Sequence, residues 1–254
     1  MAADRIETRL YVADALQAGG TVALDRERAH YLGHVLRLKP GAAVALFNGR
    51  DGEFAARIAE IGKTKATVAV MQRLRPQPAP PRPPADLWLL FVPLKRAPID
   101  YLAQKATELG VTVLWPVVTR HTAVDRVNLH RLAANAVEAA EQCGGLSVPE
   151  IRAAAPLDRA LAGWPGDRRL YVCAEKGRAE PLAAAAARHP AEAPAAILTG
   201  PEGGFHDAEL DALRLLPFVT PVALGPLVMR ADTAALAAIA VFHAAAGNWR
   251  QRAG

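Results

Sequence analysis

The sequence predicts an α/β protein in two parts: a small N-terminal β-barrel, then a larger C-terminal domain of parallel sheet covered by helices. Three observations carry this expectation. The segment Arg75-Pro76-Gln77-Pro78-Ala79-Pro80-Pro81-Arg82-Pro83-Pro84 divides the chain. Proline lacks the backbone donor and fixes φ, so this stretch reads as a semi-rigid extended linker. Short strand-like runs precede it, and strand-like and helix-like runs alternate after it, which argues for a parallel sheet. The expected boundaries are 1–75, a linker over 76–85, and 86–254.

In the first part, Thr8–Val12, Thr21–Leu24, Ala43–Phe47, Phe54–Ile61 and Ala66–Gln72 are the candidate strands. Asn48-Gly49-Arg50-Asp51-Gly52 is a hairpin turn, because Asn-Gly and Asp-Gly reach positive φ cheaply. One helix-like piece, Asp25–Leu36, interrupts the strands and leads to Arg37 and Lys39. After the linker, strand Leu87–Val92 leads to helix Ile99–Leu109, which Gly110 ends. Strand Val111–Val118, helix Leu129–Gln142 capped by Asn128, strand Leu170–Ala174 and helix Pro181–Arg188 follow. Strand Ala195–Leu198, helix Ala208–Leu215, strand Val219–Leu224 and helix Thr233–Ala246 complete the pattern. His206 and Glu209 have capping-box spacing, although histidine is a poor cap and Asp207 is the alternative. Asp232 is the expected cap of the last helix.

Composition narrows the class. Of 254 residues, 52% are apolar, ample for a buried core and against disorder. No apolar run is long enough to span a bilayer, and Met1–Glu7 mixes charges as no signal peptide does. Cys143 and Cys173 share no CxxC spacing, so neither a disulfide framework nor a zinc site is expected. These features predict a cytoplasmic protein. Residues 1–84 hold thirteen Lys and Arg against eight Asp and Glu, and residues 85–254 hold seventeen of each, so the whole excess of +5 lies in the first third. Such segregation is the footprint of a module that meets phosphates.

The usual nucleotide and hydrolase fingerprints are absent: no GxxxxGK[ST], no GxGxxG, no HExxH and no GxSxG occurs. His30 and His34 are spaced i,i+4 without a carboxylate or cysteine partner nearby, which suits a polar helix face or an RNA contact better than a metal site. Two segments stand out instead, Leu198-Thr199-Gly200-Pro201-Glu202-Gly203-Gly204-Phe205 and Leu224-Gly225-Pro226-Leu227-Val228-Met229-Arg230-Ala231-Asp232-Thr233. Each follows a strand-like run and precedes a helix-like one. Glycine and proline there let backbone approach a ligand, and in an open α/β sheet ligands sit beyond the carboxyl ends of strands.

With those two segments, the chain resembles the 16S ribosomal RNA uridine-N3 methyltransferase family of the SPOUT class. Further matches are His30-Tyr31-Leu32-Gly33-His34-Val35-Leu36-Arg37, Gln104–Val111, and Glu138–Gly144 followed by Val148-Pro149-Glu150-Ile151. The resemblance implies a PUA-like RNA-binding barrel at 1–75 and a SPOUT domain with a trefoil knot at 86–254. It also implies a homodimer, S-adenosylmethionine as methyl donor, and 16S rRNA or the small ribosomal subunit as partner, with no metal and no membrane.

On this resemblance the donor would be held by Leu198, Thr199, Gly200, Pro201, Glu202, Gly203, Gly204, Leu224, Gly225, Pro226, Met229, Arg230 and Thr233. Arg230 would be the catalytic cation, and RNA would meet His30, His34, Arg37, Lys39, Lys95, Arg96 and Arg120. Guanidinium stays charged at neutral pH and so stabilises an ionised uracil rather than removing its proton, a task open to Glu202 or Asp232. The sequence departs from the family pattern at Gly145 and Ser147, where a basic residue is usual. It departs again at Met229-Arg230-Ala231-Asp232-Thr233, where Leu-Arg-Thr-Glu-Thr is usual. These changes motivate the rival expectation, a non-catalytic RNA-binding or ribosome-assembly factor that retains the fold.

Overall fold

The structure, a computed structural model, describes residues 5–78, 86–94, 96–123, 126–174, 179–190 and 193–250. Two compact units divide the chain: Met1–Ala79 with Ala140–Val148, and Pro80–Ala139 with Pro149–Gly254.

The first unit is built on strands β1 (Arg9–Tyr11), β2 (Thr21–Leu24), β3 (Ala43–Phe47), β4 (Glu53–Ile61) and β5 (Ala66–Arg75). They form one sheet in the order β1-β3-β4-β5-β2, antiparallel except where β1 runs parallel to β3. Leu10, Val22, Leu32, Val44, Leu46, Ile58 and Val68 fill its core. Helix α1 (Arg26–His30) starts at Asp25, whose side chain accepts the Arg28 N–H at 2.9 Å. The single helix expected over Asp25–Leu36 is instead a short α-helix followed by a π-helical turn, Tyr31–Val35, and Arg37 leaves it at φ 55°. The β3–β4 turn is tied by Asn48, whose Oδ1 accepts the Arg50 and Asp51 N–H groups. Gly52, at φ 98°, is obligatory: a Cβ there would lie 2.3 Å from the Arg75 carbonyl oxygen.

Glu53 is the electrostatic centre of this unit. Its buried carboxylate meets Arg9 Nε and Arg75 Nε, both at 2.7 Å. Burial acts to raise its pKa, and the hydrogen bonds from Arg75 and Arg9 overcome that and hold it below the ordinary value. Arg9 also donates to the carbonyls of Ala140, Glu141 and Gly145, and Arg75 to that of Gly144. The segment around the departures at Gly145 and Ser147 thus serves as an acceptor surface for two arginines. The Ser147 Oγ accepts from Gln77. The expected linker over 76–85 lies outside the described residues from 79 onward, and Arg75, just before it, closes β5.

The second unit carries strands β6 (Leu87–Phe91), β7 (Val113–Val118), β8 (Glu150–Ile151), β9 (Ala155–Pro156), β10 (Arg169–Cys173), β11 (Glu180–Pro181), β12 (Ala195–Thr199) and β13 (Val219–Ala223). Its helices are α2 (Arg96–Glu108), α3 (Leu129–Cys143, whose residues from Ala140 on count with the first unit), α4 (Leu157–Leu161), α5 (Leu182–Ala187), α6 (Asp207–Arg214) and α7 (Ala231–Ala245). The sheet runs β11-β13-β10-β12-β6-β7-β8, with every described pairing parallel and β9 against the end of β7. All five residues of β12 are buried, as a strand covered on both faces requires. Alternation sends Ile197 into the core with α2, α5 and α7, and Leu198 into the opposite core with Phe205, Leu210 and Leu213.

One helix start carries the expected capping box, and another departs from its expected cap. His206, not Asp207, caps α6: its Nδ1 accepts the Ala208 N–H, and Glu209 reaches back to the His206 N–H. The last helix begins at Ala231 with Arg230 as its cap, so Asp232 lies inside the first turn and its Oδ1 accepts the Thr233 N–H at 2.8 Å. Asn128 caps α3 through the Arg131 N–H, and Gly110 at φ 87° closes α2. Among the described residues no helix is long and apolar enough to cross a membrane.

Candidate functional site

Strands β10, β12 and β13 lie side by side and parallel, and the loops leaving their carboxyl ends enclose a cavity of about 160 Å3. Cys173 and Ala174 contribute from β10, Thr199, Gly200 and Pro201 from β12, and Val222 to Pro226 from β13. Gly204, Phe205 and Leu210 close one side, and Leu227, Val228, Met229, Ala231 and Ala234 the other.

The first wall folds tightly. Gly204 N–H returns to the Pro201 carbonyl at 2.9 Å, with Gly204 at φ 70°. Phe205 then turns inward, and its ring lies where a Cβ on Gly200 would sit 2.8 Å away. In the second wall Gly225 adopts φ 143°, open to glycine alone among common residues, and a Cβ there would meet no atom within 4 Å. Past it, Leu227 and Val228 are 78% and 79% exposed, an apolar surface held out beside the cavity.

Among the described residues no charged side chain lines this cavity, so its polar groups are backbone amides and carbonyls, the Thr199 hydroxyl and the Cys173 thiol. Shielding from water pushes that thiol up to about 12, so it stays protonated at neutral pH and is no nucleophile. Such a lining suits a ligand with a flat apolar body and hydrogen-bonding edges, and it offers no fixed cation for a polyphosphate.

The expected donor-holding residues are distributed unevenly. Thr199, Gly200, Pro201, Gly204, Leu224, Gly225, Pro226 and Met229 line the cavity. Leu198 is buried in the core beneath it, while Glu202, Gly203, Arg230 and Thr233 are exposed outside its lining. Arg230 lies between Met229 and Ala231, both in the wall, and its guanidinium has no partner among the described residues. The expected set lacked Cys173, Ala174 and Val222, and also Phe205, Leu210, Ala223, Leu227, Val228, Ala231 and Ala234. The signal for the first three was their position at the carboxyl ends of adjacent strands, which needs the strand order to be read.

Of the residues expected to meet RNA, His30, His34, Arg37 and Lys39 are all exposed, and the two imidazoles stack with centroids 4.9 Å apart. Arg120 is exposed, with its backbone N–H bound to Glu209. Arg96 opens α2, and Lys95 lies outside the described residues. No group of three or more His, Cys, Asp or Glu is arranged to hold a metal among the described residues.

A doubly covered parallel sheet with a backbone-walled cavity at its carboxyl edge defines an α/β ligand-binding protein. The family model of an RNA methyltransferase domain matches residues 81–243, and that of an RNA methyltransferase PUA domain matches residues 24–71. The ribosomal RNA small subunit methyltransferase E of Rickettsia conorii is 32% identical over 233 residues, 91% of this chain and 93% of that protein. A methyltransferase from Legionella pneumophila, solved in complex with the bound cofactor SAM, superposes with a TM-score of 0.83 at 28% identity, covering 96% of this chain and 99% of that one. The ribosomal RNA small subunit methyltransferase E of Neisseria gonorrhoeae, solved bound to S-adenosyl methionine, has a TM-score of 0.79 at 28% identity, covering 93% and 97%. The chain belongs to the RNA methyltransferase family and, within it, to the ribosomal RNA small subunit methyltransferase E proteins.

Proposed function

We propose that this protein transfers a methyl group from S-adenosylmethionine to N3 of a uridine in 16S rRNA. The observation that carries the reading is the cavity at the ends of β10, β12 and β13, which among the described residues has no charged lining and has beside it an arginine without a partner. The residues fit the donor. Gly225 leaves open the space a Cβ would take, and Leu227 and Val228 offer apolar surface for a ligand to cover. Thr199, Gly200, Pro201, Gly204, Leu224, Gly225, Pro226 and Met229 would hold it. When bound, S-adenosylmethionine supplies an activated methyl on a sulfonium, so the protein's task is placement.

Arg230 favours the ionised uracil. As N3 gives up its proton, charge spreads to the flanking carbonyl oxygens, and a fixed guanidinium stabilises it there. The proton goes to Glu202 or Asp232. The two differ: Asp232 Oδ1 already accepts the Thr233 N–H, whereas the exposed Glu202 carboxylate has no partner among the described residues.

In this reading residues 1–75 are a PUA-like RNA-binding barrel presenting His30, His34, Arg37 and Lys39, and 76–85 are a linker. Residues 86–254 are a SPOUT domain with a trefoil knot that works as a homodimer in the cytoplasm, with Lys95, Arg96 and Arg120 meeting RNA. The test is transfer of labelled methyl from S-adenosylmethionine to small ribosomal subunits lacking the mark. Label mapped to one uridine N3, and lost in Arg230→Ala while donor binding persists, is the expected result. Donor binding by the wild type without any label in RNA would favour the non-catalytic assembly factor.

A further inference from the structure

Two loops far apart in sequence are joined beside the cavity. The loop after β7 holds Arg120 and His121, and the turn after β12 holds Gly204 and His206; in the sheet, β6 lies between those two strands. His121 Nδ1 is 3.0 Å from the Gly204 carbonyl oxygen. A carbonyl can only accept, so the proton resides on Nδ1. The Glu209 carboxylate uses both oxygens, Oε2 accepting the His206 N–H at 3.0 Å and Oε1 the Arg120 N–H at 2.9 Å. The His121 and His206 rings meet edge-on at 5.8 Å.

We infer that His121 and Glu209 are positioning residues that lock the Gly200–Gly204 turn in its ligand-holding shape by tying it to the loop after β7. This rests on the reading of the cavity as the donor site. The physical reason is entropic. A turn with three glycines has many accessible conformations, and Gly204, in the wall at φ 70°, is the residue whose carbonyl is pinned. A turn ordered in advance spares the ligand the cost of ordering it. Glu209 does double duty, since the carboxylate that completes the α6 capping box also holds the Arg120 backbone.

The test uses the full chain and S-adenosylhomocysteine as the calorimetric probe, with steady-state KM for donor and for unmodified 16S rRNA alongside. His121→Ala should weaken probe binding by about fivefold or more. His121→Asn, whose amide N–H stands close to the place of Nδ1–H, should restore it to within about twofold. Glu209→Gln keeps the shape but turns an amide N–H toward one of the two backbone donors, and should raise the donor KM while the rRNA KM holds. A loose structural role would lower melting temperature without this split and without rescue by asparagine. Wild-type binding with His121→Ala and Glu209→Gln equally tight overturns the latch alone. Equal weakening in His121→Ala and His121→Asn overturns it as well, because lost bulk would then explain the effect. A wild type that does not bind the probe removes the donor-site reading and the latch with it.

Discussion

Replacing Gly200 by alanine tests the wall of the cavity at its tightest point. The added Cβ would stand 2.8 Å from Phe205 Cε2, 3.0 Å from Cδ2 and 3.3 Å from Cζ. Carbon atoms pack best at about 3.5–4.0 Å, so ring or turn must yield by roughly 0.7 Å. The ring has little freedom: Phe205 is buried in the core that holds Leu198, Leu210 and Leu213. Overpacking of this kind costs about 1–3 kcal/mol. Because Phe205 and Gly200 both line the cavity, the strain is relieved by deforming it, and donor affinity should fall by about 5- to 150-fold. Gly203→Ala is the control, since a Cβ there meets nothing within 4 Å and the residue is exposed. Calorimetric titration of both variants with S-adenosylhomocysteine decides the matter. Gly200→Ala binding like wild type, or Gly203→Ala failing equally, would refute the steric argument.

Two further outcomes follow from buried charge. Glu53→Gln removes the carboxylate between Arg9 and Arg75 and leaves the largely buried Arg9 without its counter-ion, which should cost about 2–4 kcal/mol in urea unfolding of the full chain, the half-exposed Arg75 contributing the smaller share. His243, fully buried on α7 with both ring nitrogens unpartnered among the described residues, is lowered by burial from 6.5 to about 4. Its folded value lies below the unfolded one, so the neutral form is favoured on folding. That stability is complete above pH 6.5 and is lost as pH falls to about 4, amounting to about 3 kcal/mol. Thermal melts across that window should decline steeply, and His243→Leu should flatten the decline; an unchanged slope would count against the burial argument.

Much of the fold was legible because its signals are local. Periodicity, proline and glycine marked strands such as Thr21–Leu24 and Ala43–Phe47 with their observed limits, and the hairpin at Asn48–Gly52. Elements too short to show a period escaped: β8, β9 and β11 are two residues each, and α4 is a single five-residue piece. The spacing of His206 and Glu209 marked the capping box that starts α6, even though histidine is on average a poor cap. Here His206 and Glu209 satisfy each other's geometry.

The candidate site divides in the same way. The sequence by itself determined that two glycine-rich turns follow strands and precede helices, since turn chemistry depends on neighbours along the chain. Only the tertiary structure decided that these turns meet β10, that Leu198 faces the core while Cys173 and Val222 reach the cavity, and that His121 holds Gly204. It also decided that Ala140–Val148 belongs with the first unit, where Arg9 and Arg75 take its carbonyls. Strand order and register bring distant residues together, and these depend on how both faces of the sheet are buried at once, which no local pattern encodes.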